Sequence, residues 1–181
     1  MPKSFREEFA VAADFLARGL DKRRQCVFVA DDNGPDVVRM ALRSRGLRVD
    51  DLARDGRLSV VAGRDTPLGA AGPLDAASLY RAWAEMTDRA VARGYSGLSV
   101  AVEMTWALDH DAEALALYER GAAPLFESKP LDALCLYNWN VFQEKTILVA
   151  AVRSHSRFVV DGAARPPASP EEFGRVLELA P

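Results

Sequence analysis

The sequence predicts an α/β domain whose mostly parallel sheet of about five strands carries helices on both faces. Three observations predict it. Short, continuous apolar runs such as Cys26-Val27-Phe28-Val29-Ala30 have the form of strands covered on both sides. Between such runs, apolar residues recur at the spacing of amphipathic helices. The two signals alternate along the chain, the order that builds a parallel sheet through right-handed crossovers. A length of 181 residues fits one domain with a full core.

Ser4 and Glu7 read as a capping box, and the spacing of Phe5, Phe9, Ala12, Ala13, Leu16 and Leu20 predicts a helix over residues 5–18. Gly19 sits near its end, where left-handed backbone is cheapest for glycine. Lys22-Arg23-Arg24 reads as a solvated turn whose charge complements the helix dipole. After the first strand, 26–30, Asp31-Asp32-Asn33-Gly34-Pro35 forms a turn and a helix start, with Pro35 where a missing N–H costs nothing. Val37, Val38, Met40, Ala41 and Leu42 carry that helix to Gly46, and Leu52 to Gly56 is a helical turn. Leu58 to Ala62 is the second strand, and the Gly- and Pro-rich residues 63–74 form an exposed loop. Asp75 caps a long helix with Leu79, Trp83, Met86 and Ala90 that stops at Gly94. Leu98 to Val102, ending at Glu103, is the third strand; a helix from about Asp111 to Ala123 precedes the fourth, Ala133 to Tyr137. A helix over 141–153 and a short strand over 157–160 complete residues 1–162. The remaining 163–181 are an Ala/Pro-rich irregular segment and a terminal helix opened by Ser169-Pro170-Glu171-Glu172, whose Phe173, Val176, Leu177 and Leu179 suit docking.

Composition narrows the function. An apolar share of 49% and a charged share of 27% belong to a soluble globular chain. The longest apolar run, Thr146 to Val152, is far short of a membrane span, and the N-terminal residues lack the pattern of a secretory signal. Two cysteines, Cys26 and Cys135, offer no disulfide framework, so a reducing cytoplasm is the expected compartment. A net charge of −3 with no aromatic–basic surface argues against direct nucleic-acid binding.

Ligands of open parallel sheets sit beyond the carboxyl ends of the strands. Asp31-Asp32, Glu103, Cys135 with Tyr137, and the stretch near His155 hold such positions. Glu103 closes a buried strand, and Trp106 offers a broad apolar wall with one N–H; the alternative is a turn cap beside a core tryptophan. Tyr118-Glu119 lies on the next helix, alternatively a core tyrosine beside a solvated glutamate. Cys135 and Tyr137 share one sheet face, where packing competes with reactivity as the reason for the thiol. His155 could titrate, bind metal or cap a helix. Two His and two Cys without paired spacing support no metal, and no cofactor motif is present. Neither a nucleophile elbow nor an HExxH appears, nor does Gly-x-x-x-x-Gly-Lys-Ser/Thr, without which little remains to hold a γ-phosphate.

The run Phe15-Leu-Ala-Arg-Gly-Leu20, then Cys26 to Ala30, Gly46 to Leu52 and Gly56 to Val61 resembles the MEDS domain, the methanogen/methylotroph, DcmR sensory domain. The resemblance continues through Trp83, Gly94-Tyr-Ser-Gly-Leu98, Glu103-Met-Thr-Trp-Ala-Leu108, Tyr118-Glu119, Leu134-Cys-Leu-Tyr137, Phe142 and Ser154-His155, covering about residues 5–162. It implies a RecA/KaiC-like core without a phosphate loop that senses small molecules, often hydrocarbon derivatives, in transcription or signalling. Under it, Glu103, Trp106, Tyr118, Cys135, Tyr137 and His155 are the ligand-binding positions. The chain departs from the family pattern in three places. The usual first strand with its His-x-Cys-like segment has no counterpart, Ser99 and Val102 replace Arg and Gly, and Ser156 replaces a proline. A lost central strand would leave an open sheet edge for a partner chain.

The expected function is a non-catalytic sensory module that binds a small molecule and signals through a protein partner or a homo-oligomer. The alternatives are a ligand-free protein–protein subunit and, set back by the missing phosphate loop, a KaiC-like ATPase.

Overall fold

The computed structural model describes residues 5–69, 72–138, 142, 158–160 and 163–165. Helix α1 (Phe5–Asp21) leads into β1 (Gln25–Ala30), followed by α2 (Pro35–Ser44), α3 (Val49–Arg54) and β2 (Leu58–Ala62). Two single 3-10 turns, Gly63–Asp65 and Pro67–Gly69, precede α4 (Ala76–Ala92) and β3 (Leu98–Glu103). A further 3-10 turn, Thr105–Asp109, joins β3 to α5 (Ala112–Gly121), then come α6 (Ala123–Ser128) and β4 (Leu131–Leu136). The last elements are β5 (Phe158–Val160) and β6 (Ala163–Arg165).

The main sheet is parallel in every pairing and runs β2-β1-β3-β4. Side chains alternate across it, so each strand feeds two cores. On one face, Cys26, Phe28, Leu58 and Ala101 pack against Phe9, Ala12 and Leu16 of α1 and Val38 and Leu42 of α2. On the other, Val27, Val29, Val100 and Val102 meet Leu79 and Ala90 of α4, Trp106 of the Thr105–Asp109 turn, and Leu115 of α5. Strands covered on both faces are mostly apolar, which is why Cys26–Ala30 of β1 reads as an unbroken run, while β3 adds the buried polar Ser99 and Glu103 to its apolar residues.

Several expectations need correction. The main sheet has four strands, because 158–160 pairs antiparallel with 163–165 in a separate hairpin. That pairing places a strand in the segment expected to be irregular; the intervening Asp161-Gly162 is a hairpin signal masked by the Ala/Pro-rich composition around it. Within the sheet, β3 pairs directly with β4 from Leu98↔Leu131 to Glu103↔Leu136. The 63–74 loop is not wholly exposed: its Gly63 is buried, and Leu68 enters the core below α4. Helix α6 was not foreseen. The expected capping box at Ser4, the helix over 141–153 and the terminal helix lie outside the described residues.

The turn between α1 and β1 also differs from its sequence reading. Gly19 lies within the helix, and the left-handed residue is Arg23, at φ 58°. A Cβ on Gly19 would stand 2.7 Å from Ser99 Oγ and 2.9 Å from Cys26 Sγ, so glycine is there to let the helix approach the sheet. Nor is Arg24 a solvated charge. Its Nη1 donates to the carbonyls of Leu98 and Pro130 at 3.2 and 3.3 Å and pairs with Asp132 at 3.1 Å, tying β1 to the entries of β3 and β4.

Candidate functional site

At the carboxyl end of the sheet, Glu103 is buried beside the loop that leaves β1. Its Oε2 accepts from the backbone N–H of Asp31 (2.7 Å) and Asn33 (3.1 Å), and its Oε1 accepts from the Asn33 side chain (2.7 Å). Thr105 Oγ1 adds a bond to Asp31 Oδ2 at 2.7 Å. A residue that caps β3 thus also shapes the β1–α2 connection. Burial pushes the Glu103 carboxyl above its ordinary range, and the loop's hydrogen bonds oppose that rise. Across from it, Glu8 of α1 is 3% exposed, and its carboxyl is pushed up to about 7, first by burial and then by the charges of Glu103 and Asp32.

The opposite face holds a cavity of about 50 Å³ beneath α4, α5 and α6. Its floor is Val100 and Val102 of β3 with Ala133 and Cys135 of β4. Tyr80 and Trp83 of α4, Trp106, and Tyr118 and Glu119 of α5 form the walls, and the part-exposed Phe126 of α6 stands at the rim. The walls are locked together. Trp83 Nε1 donates to Tyr118 Oη at 3.2 Å, Tyr80 donates to the Tyr118 carbonyl, and the Tyr80 and Tyr118 rings stack at 5.4 Å. Trp106 meets Tyr118 edge-on at 6.0 Å and His110 at 5.7 Å. Although Trp106 is only 5% exposed, its Nε1–H has no acceptor among the described residues. An unmet buried donor costs about 1–3 kcal/mol.

Behind this wall, the Tyr137 hydroxyl donates to Glu119 Oε1 at 2.7 Å, and the Tyr137 ring meets Phe142 edge-on. Burial, with the Glu119 carboxylate next, holds both the Tyr137 hydroxyl and the Cys135 thiol well above their usual ranges. Tyr118 is raised mainly by burial, and the thiol of Cys26 on the other face is pushed up to about 12 by the same cause. A thiol held protonated is a poor nucleophile.

Of the six positions singled out from the sequence, Trp106, Tyr118 and Cys135 come together around the cavity, with Tyr137 joined to it through Glu119. Glu103 stands at the strand end, on the face of α1, and His155 lies outside the described residues. The cavity therefore sits under the helices on one sheet face rather than in the strand-end crevice where ligands were expected. Glu119 is buried, not solvated. Sequence reasoning also missed Tyr80 and Glu8 as site residues and read Trp83 as helix packing. A signal existed for the two acids: Glu119 lies one turn from the buried Leu115, and Glu8 one turn from the buried Ala12. Among the described residues no three His, Cys, Asp or Glu converge to hold a metal, and no helix is long and apolar enough to cross a membrane.

The model of the MEDS family, "MEthanogen/methylotroph, DcmR Sensory domain", matches residues 3–156. No curated protein matches the chain. Among solved structures, the chain is similar to an uncharacterized protein from Pyrococcus horikoshii, crystallised in complex with an unknown peptide. The TM-score is 0.58 at 14% identity, over 90% of this chain and 78% of the other. At that identity the likeness speaks for the fold.

Proposed function

Because the chain belongs to the MEDS family of sensory domains, we propose that it is a non-catalytic sensor that holds a small molecule in the cavity under α4, α5 and α6. The observation that carries the reading is the cavity itself, floored by β3 and β4 and walled by four aromatic side chains. Pockets of this make, mostly apolar with a few polar groups, are built for binding. The raised thiols support a binding role over chemistry, since neither Cys26 nor Cys135 is poised as a thiolate. In this reading Trp106, Tyr118 and Cys135 contact the ligand, Tyr137 steadies Glu119, Glu103 ties the site to the β1–α2 loop, and His155 belongs to the same set. The occupied state is passed on to a protein partner or a second copy of the chain, in transcriptional or signalling control, in the cytoplasm.

The test is a thermal-shift screen of small neutral molecules against the wild type and Ala133→Leu, which fills the cavity floor. Ligands that raise the Tm of the wild type should leave the variant unmoved. Equal shifts in both proteins, or none across the screen, would remove the cavity from the account. The second reading, a subunit that works by protein contact alone, draws on the peptide bound by the Pyrococcus protein. It also draws on the exposed Val37 and Met40 of α2, which are 39% and 63% accessible. It predicts that signalling survives Ala133→Leu.

A further inference from the structure

We infer that α1 is a lid on the sheet, held shut by a protonated Glu8 beside the Glu103 carboxylate and released when Glu8 gives up that proton. The device lies on the sheet face away from the cavity and stands whether or not a ligand binds there. Three observations carry it. First, two acids are buried under one helix, Glu8 on α1 itself and Glu103 at the end of β3. Second, their surroundings differ. Both Glu103 oxygens accept from the β1–α2 loop, through the N–H groups of Asp31 and Asn33 and the Asn33 amide, donors that suit a carboxylate. Around Glu8, burial comes first, Glu103 and Asp32 follow, and each of the three favours its neutral form. The proton of the pair therefore belongs on Glu8. Third, α1 is fastened at its carboxyl end. Ser96 donates to the carbonyls of Lys22 and Arg23, and Arg24 reaches Leu98, Pro130 and Asp132. Towards its start, Phe9, Ala12, Ala13 and Leu16 rest on the sheet through apolar packing.

The other titratable groups on the elements packed against α1 are matched elsewhere. On α2, Arg39 pairs with Asp36 and Arg43 with Asp50; on β4, Asp132 pairs with Arg24. Beyond β1, Asp31 accepts from Thr105, and within β1 burial keeps the Cys26 thiol protonated. An ionised Glu8 is then a second buried anion at one strand end, which is costly. Lifting α1 returns Glu8 to water, where the ordinary value of 4.5 replaces one of about 7. The released form binds fewer protons, so rising pH favours it. From pH 6 to pH 8 those two values raise the opening equilibrium about tenfold.

The experiment is amide hydrogen exchange on the full chain at pH 6 and pH 8, each rate divided by the intrinsic rate at that pH. A 17-residue helix is only marginally stable alone, so release of α1 shows as exchange at Ala12, Ala13 and Leu16. Leu79 and Ala90, buried on α4 across the sheet, report opening of the whole fold. The α1 amides should be less protected than those of α4, and their protection should fall about tenfold from pH 6 to pH 8. In Glu8→Gln, which keeps the shape and removes the titration, that fall should vanish. Equal protection in α1 and α4 means that α1 has no opening of its own, and the lid is refuted. A separate α1 opening that ignores pH, or whose pH dependence survives Glu8→Gln, removes Glu8 as the latch and overturns the inference as surely.

Discussion

Glu8→Gln should make the protein more stable at neutral and alkaline pH while changing little in mild acid. Glu8 is 3% exposed, and its carboxyl is raised from 4.5 to about 7 by burial, with Glu103 on β3 and Asp32 after β1 adding to the rise. A carboxyl whose folded pKa exceeds its unfolded value holds its proton more tightly in the folded chain, so folding stability falls as pH climbs from the lower value through the higher one. The shift corresponds to about 3 kcal/mol of stability, fully present below the unfolded pKa and fully lost above the folded one. Glutamine keeps the shape and removes the titration. Urea unfolding of both proteins near pH 5 and near pH 8 is the assay, and the advantage of the variant should be about 2–3 kcal/mol greater at the higher pH. Glu103, raised in the same direction, remains in both proteins and cancels to first order. An identical stability difference at the two pH values would refute the idea that Glu8 is buried in its charged form.

Two further outcomes follow from geometry. Gly97 has φ +156°, and a Cβ there would run into the Pro130 carbonyl oxygen at the start of β4, so Gly97→Ala should cost roughly 2–5 kcal/mol in denaturant unfolding. Tyr137→Phe removes the donor to Glu119 Oε1 within the buried wall and should cost about 1–3 kcal/mol. A double-mutant cycle with Glu119→Gln should recover part of that loss as coupling between the two residues.

The four strands of the main sheet were legible because their short runs stay mostly apolar: Cys26–Ala30 is unbroken, and Ser59, Ser99 and Asp132 each interrupt β2, β3 and β4 only once before the strand end. Leu58–Ala62 matches its sequence reading residue for residue. The cap at Asp75 was legible for a local reason, since its carboxylate needs only the Ser78 N–H, three residues away. Helix α6 was not, because its six residues present no buried stripe and open with Ala123-Pro124. The site divides along the same line. Trp106 and Tyr118 stood out as residue types, yet what they face depends on α4, far away in the chain. Glu8 did not stand out in the sequence, and Glu119 read as either a site residue or a solvated acid; the partners that matter, Glu103 and Asp32 for Glu8 and Tyr137 for Glu119, are distant in the chain. Arg24 is the same lesson reversed: in sequence it belongs to a basic turn, in space to Pro130 and Asp132.

The short Thr105–Asp109 turn gives the molecule a crossing from one side of its sheet to the other that bypasses the strands. Thr105 is fastened to Asp31, and Trp106, the very next residue, forms the wall of the chamber under the helices. One side-chain hydrogen bond and one peptide link therefore separate the chamber wall from the loop ahead of α2, the outer helix that bears Val37 and Met40.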